Sequence, residues 1–137
     1  MLEVAGINFW AVLVTWFIYM AVGAWWYSPA GFAKQWTKHT NIDIMKIPVK
    51  QANKIISFVA LSALVQAFTL AVLFNSLNVT SLANGLVVGL VVWFGLTAAT
   101  TVGVTLYSKR SFGFLWLNTS YFLVVMTVAS VIYTVWQ

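Results

Sequence analysis

Four stretches of this chain carry only apolar and uncharged polar side chains, at roughly 7–27, 55–74, 82–106 and 112–136. Each reaches or exceeds the ~20 helical residues that cross a hydrocarbon core ~30 Å thick. The pattern predicts an all-α fold, an integral membrane four-helix bundle, with residues 1–137 forming a single transmembrane domain. Charge enters in only two basic places: Lys34, Lys38, Lys46, Lys50 and Lys54 in the first loop, and Lys109 with Arg110 in the third.

That placement sets an expected orientation. Loops rich in Lys and Arg stay on the cytoplasmic side, so loops one and three are expected inside and both termini outside, in a cell membrane. Lys46, Lys50, Lys54, Lys109 and Arg110 are then lipid-facing, their alkyl stems buried and their charges at anionic headgroups. The sequon Asn78-Val79-Thr80 falls on the outer side but in a tight hairpin beside the bilayer, hard for a transferase to reach. The first stretch follows Glu3 and no basic residue and is too long for a signal core, so it is read as a retained span.

Composition excludes more than it assigns. With 62% hydrophobic and 7% charged residues the chain lacks the charged surface of a soluble domain, and with no cysteine it has no thiol chemistry. The spans hold no ionisable Asp, Glu, Lys, Arg or His, which argues against proton relays, voltage sensing and catalysis. His39 and Asp43 stand four apart in loop one, but two ligands are too few for a closed metal site. They read as a solvated His and a local capping Asp, and no enzyme activity, cofactor, metal or nucleic acid is expected.

Loop one has local structure of its own. Ser28 before Pro29 reads as an N-cap with Pro at the first helical position. A short interfacial helix follows, with Phe32 and Trp36 on one side and Lys34 and Lys38 on another. Trp16 and Trp93 fall deep in their spans, so their indole N–H groups need partners inside the protein.

Uncharged polar residues form stripes at helical spacing. On the second span Ser62, Gln66 and Thr69 share a face, and on the fourth Thr119, Thr127, Ser130 and Thr134 cluster with Asn118 beside them. On the third, Gly85 and Gly89 continue through Gly95, Ala99 and Gly103 as a small-residue face for helix packing, with Leu96 on the same side. Phe94, Thr97, Thr101 and Thr105 are expected opposite. Ser62, Gln66, Thr69, Thr97, Thr101, Asn118 and Ser130 together make a candidate polar network or solute path.

Gly23-Ala24-Trp25-Trp26-Tyr27-Ser28-Pro29, then Phe32 and Trp36, then Gly89 with Trp93-Phe94-Gly95, then Leu117-Asn118-Thr119-Ser120-Tyr121 carry a resemblance. Over essentially the whole chain, this order resembles the bacterial and fungal family of small four-span membrane proteins catalogued only as a domain of unknown function. Trp26-Tyr27-Ser28-Pro29 is its most specific piece. The family pattern favours Gly-Phe where this chain has Gly95-Leu96, and Gly-Tyr where it has Ser120-Tyr121. The resemblance implies fold and location but no activity, and marks Trp26, Tyr27, Ser28, Pro29, Trp93, Asn118 and Tyr121 as candidate positions.

The leading expectation is a non-enzymatic bundle in the lipid bilayer, acting as a homo-oligomer or as a subunit of a complex with another membrane protein. The alternative is an oligomeric pore or carrier for a small uncharged solute.

Overall fold

The computed structural model describes residues 2–136. Its helices are α1 (Phe9–Trp26), α2 (Ala33–Thr40), α3 (Val49–Ser76), α4 (Leu82–Val92), α5 (Ala99–Tyr107) and α6 (Phe112–Val135), with a 3₁₀ turn at Ile44–Lys46 and a π-helical segment at Trp93–Ala98 joining α4 to α5. Four helices are long and apolar enough to cross a membrane: Phe9–Trp26, Val49–Ser76, Leu82–Tyr107 and Phe112–Val135. The fold is all-α and the protein is an integral membrane protein.

Local chemistry sets the boundaries. Asn8 caps α1, its Oδ1 accepting from the backbone of Trp10 and Ala11, and Ser111 caps α6 by accepting from Phe114 N. α3 starts at Val49, ahead of the expected residue 55, because Pro48 supplies its N-cap and nothing between Val49 and Ile55 breaks a helix. Lys50 and Lys54 therefore ride on the exposed first turns of the second span. Asn41 and Asn78 take left-handed backbone angles, φ 58° and 49°, which lets α2 and α3 each end in a tight turn.

Two sets of contacts define the two ends of the molecule. At one, Glu3 N donates to Ser76 Oγ (2.7 Å) and Asn75 Nδ2 donates to the carbonyls of Glu3 and Ala5. At the other, Arg110 Nη1 donates to the Thr40 carbonyl (2.8 Å), and His39 Nδ1 lies 2.8 Å from Ser111 Oγ. The basic loops thus share one end, and the N-terminal segment shares the other with loop two.

α6 is the central helix, packed against α1, α3, α4 and α5, while α1 also packs against α3. The core along these contacts includes Ala11, Val12, Ala67, Phe74, Val125, Ala129 and Tyr133. Trp16 Nε1 donates to the Ala60 carbonyl (2.9 Å) and Trp93 Nε1 to that of Thr119 (2.8 Å), so both deep indoles have partners. Beyond Phe74, which packs beside Gly85 near loop two, α3 has at most marginal contact with α4 or α5. The bundle is open on that side.

The third span is the outlier. Only 6% of its apolar window is buried, against 28% for each of the other three. Its first half packs as expected: a methyl group on Gly85 would overlap Thr134 Oγ1, and one on Gly89 would overlap Ser130 Oγ, so α4 lies tight on α6. Its second half does not. Gly95 and Gly103 have nothing within 4 Å of where a Cβ would stand, and Ala99 and Leu96 are exposed.

The cause is the π-helical segment, which inserts one extra residue per turn and rotates everything after it. In a continuous α-helix the face of Gly85 and Gly89 would run on to Leu96, Ala99 and Gly103. Instead Trp93, Thr97, Thr101 and Thr105 turn inward, with Thr105 fully buried. The expected packing face splits at residue 93, and the threonines lie on the side of Gly89 rather than opposite it.

Candidate functional site: a side cleft between the second and third spans

Where α3 and the third span diverge they leave a cleft of about 340 Å³, its walls supplied by both helices and its floor by Phe122 and Met126 of α6. From α3 come Val65, Gln66, Thr69 and Leu70, and from the third span Val92, Leu96, Thr97, Thr100 and Thr101. Leu96 and Val65, 69% and 57% exposed, stand at its mouth and face sideways. The volume is at the lower end of the ~300–1,000 Å³ usual for small-molecule sites.

The polar groups of the cleft are anchored to their own helices. Thr69 Oγ1 donates to the Val65 carbonyl (2.8 Å), Thr100 Oγ1 to that of Leu96 (2.5 Å) and Thr101 Oγ1 to that of Thr97 (2.6 Å). Thr97 Oγ1 points to Met126 Sδ (3.8 Å), tying the wall to the floor. Gln66 Nε2 donates to Ser62 Oγ (3.4 Å), while Gln66 Oε1 is buried with no donor. Buried side-chain polar atoms of Tyr19, Trp26 and Thr105 also lack a partner among the described residues, and none of those residues lines the cleft.

Of the seven residues expected to form one polar network, Gln66, Thr69, Thr97 and Thr101 meet here and Ser62 supports Gln66 from the side. Asn118 and Ser130 do not join them. Asn118 Oδ1 accepts from Tyr27 OH (3.2 Å) near the basic end, and Ser130 is fully buried beneath Gly89, donating to the Met126 carbonyl (2.8 Å). Thr100, also in the wall, escaped the helical-wheel reading because the wheel assumes an uninterrupted α-helix.

The Trp26-Tyr27-Ser28-Pro29 motif builds the basic end. Trp26 packs on Phe32 (ring centroids 4.6 Å), Tyr27 on Trp36 (5.2 Å) and on Tyr121 (5.8 Å), and Trp36 on Phe114 (5.3 Å). This aromatic cluster seats α2 against α1 and α6. Ser28 does not cap a helix that starts at Pro29. Its hydroxyl donates to the Trp25 carbonyl (2.7 Å) and accepts from Gly31 N (3.3 Å), closing a turn, and α2 begins only at Ala33. Gly31 sits against the Trp25 and Trp26 carbonyls, where any Cβ would collide, so the chain needs glycine to fold back over the end of α1.

His39 and Asp43 part company. His39 lies over Gly113, whose missing Cβ makes room for the imidazole ring, and is fixed by Ser111. Asp43 accepts from Met45 N (3.0 Å) and lies 3.5 Å from the exposed Lys46 ammonium. Among the described residues no three His, Cys, Asp or Glu side chains come together in a way that would hold a metal.

Four apolar spans, a short helix packed on α6 at the basic end and a side cleft of uncharged polar groups define a polytopic helical membrane protein. The family model described as "Protein of unknown function (DUF1761)" matches residues 10–134, and the chain belongs to that family. No curated protein and no solved structure matches it.

Proposed function

We propose that this protein is a non-enzymatic membrane module that self-associates through the outward face of its third span, with its basic loops toward the cytoplasm. The observation that carries the reading is the unpartnered run Gly95, Ala99 and Gly103 on the span with 6% of its window buried. Spans have no hydrophobic drive to associate in lipid, and small residues four apart let backbones approach closely enough for dispersion and Cα–H contacts to hold them. Gly85 and Gly89 use that device within the chain, against α6. The second half repeats it where no helix of the same chain reaches. A second copy is the occupant of matching chemistry, because two identical small-residue faces are self-complementary about a two-fold axis. The absence of Asp, Glu and His from the spans, and of Lys and Arg beyond the first turns of α3, supports a role without chemistry, and the gathering of all seven Lys and Arg in loops one and three and the adjoining turns of α3 supports the orientation.

Mass in a mild detergent tests this. The 15.2 kDa chain should run as a dimer or larger, and Gly95→Leu with Gly103→Leu should yield a stable monomer. A parent protein that is monomeric in both detergent and nanodiscs sinks the proposal.

A further inference from the structure

We infer that the α3–α5 cleft is a binding site for an uncharged alcohol or phenol dissolved in the bilayer. The inference does not rest on self-association, although Leu96 at the cleft mouth borders the Gly95, Ala99 and Gly103 run.

The cleft's free hydrogen-bonding capacity is weighted toward acceptors, with one Nε2 hydrogen of Gln66 the donor left over. A hydroxyl has one hydrogen to donate and two lone pairs to accept with. The hydrogens of Thr69, Thr100 and Thr101 are spent on carbonyls of their own helices, and that of Thr97 points to Met126 Sδ. Their lone pairs remain. Gln66 adds Oε1, buried and without a donor, while one of its two Nε2 hydrogens goes to Ser62. A wall in which acceptors outnumber donors favours a ligand that donates, because one that only accepts would leave most of those oxygens unmatched in a dry setting.

Charge decides between the donors. No residue lining the cleft is ionisable, so an ammonium group would be stranded near mid-span with no counter-charge, which a bilayer interior strongly disfavours. A hydroxyl has no such cost. The remaining surface, Val65, Leu70, Val92, Leu96, Phe122 and Met126, is apolar and suits a hydrocarbon body. Access is lateral: the mouth lies between Val65 and Leu96, both exposed on helices that face lipid, so the ligand comes from the membrane. The π-helical segment is what turns Thr97 into the wall, in keeping with the frequent use of such segments at functional sites.

The test uses the whole protein in nanodiscs and four probes of matched length and equal bilayer concentration: 1-octanol, heptyl methyl ether, 2-octanone and octylamine. Binding is read by native mass spectrometry and by the shift in thermal midpoint. Octanol should bind roughly tenfold more tightly than the ether or the ketone, the worth of one well-made hydrogen bond, and octylamine more weakly than octanol. The isosteric pair Thr97→Val with Thr101→Val, and separately Gln66→Met, should each erase the preference for octanol. If ether or ketone binds as well as octanol, donor selection is wrong while the cleft remains a site. If octylamine binds best, the uncharged class is wrong. Should none of the four bind the parent protein, the cleft is not a ligand site, whatever its oligomeric state. The preference within the parent protein is informative even if a variant fails to fold.

Discussion

Gly89 and Ser130 meet across the α4–α6 contact with room for a hydrogen and none for a methyl group, since a Cβ on Gly89 would overlap Ser130 Oγ. Ser130 cannot swing away cheaply, because its hydroxyl is buried and committed to the Met126 carbonyl. Gly103 is the counterpart in the same span with open space before it.

The two glycines should therefore respond differently to one substitution. Gly89→Leu forces α4 off α6 and should lower stability by about 1–3 kcal/mol, the usual range for overpacking. Gly103→Leu should leave the thermal midpoint of the protomer unchanged and weaken association. Thermal unfolding and sizing chromatography on both variants read the two effects separately, and equal loss of protomer stability would refute the split face.

Asn118 serves Tyr27 rather than the cleft. Asn118→Leu leaves the half-buried Tyr27 hydroxyl without its acceptor and should cost about 1 kcal/mol. In a Tyr27→Phe background the same change should cost distinctly less, because the orphaned group is gone. A double-mutant cycle with no coupling would place the Asn118 partner elsewhere.

The contact from Arg110 to the Thr40 carbonyl holds the short helix α2 to the start of α6. Arg110→Ala should loosen α2 without unfolding the spans. With the charged donor partly solvated, a loss of about 1 kcal/mol, or roughly fivefold faster amide exchange over residues 33–40, is the expected scale. Uniform exchange rates in the two proteins would show that the aromatic cluster alone seats the helix.

The proposed orientation rests on charge placement. A reporter active only in the cytoplasm should work when inserted between Lys38 and Lys46 and be silent when fused after Gln137. The opposite result would invert the topology.

Much of this architecture was legible in the sequence, for physical reasons. Long uncharged stretches have few alternatives to spanning, and a tryptophan placed deep in one must find a carbonyl, as Trp16 and Trp93 do. The polar stripes at Gln66 and Thr69 and at Thr97 and Thr101 were visible separately, though nothing in either stripe showed that α3 and α5 would stand apart and leave them facing one cleft. The π-helical segment was not legible. It costs one residue of register and has no side-chain signature beyond Gly95, yet it decides whether Ala99 or Thr101 faces the bundle. The turn at Ser28 was misread because Ser-Pro begins turns and helices alike, and Gly31, which fixes the answer, matters only once the chain folds back on the Trp25 carbonyl.

Cross-linking in native membranes tests the central claim most directly, and the cysteine-free chain makes it clean. Ala99→Cys should form a covalent dimer on mild oxidation, because two copies meeting along Gly95, Ala99 and Gly103 bring position 99 to itself across the contact. Phe17→Cys, on the exposed face of α1, should remain monomeric under the same conditions. Equal cross-linking at both positions, or none at Ala99, would contradict self-association through the third span.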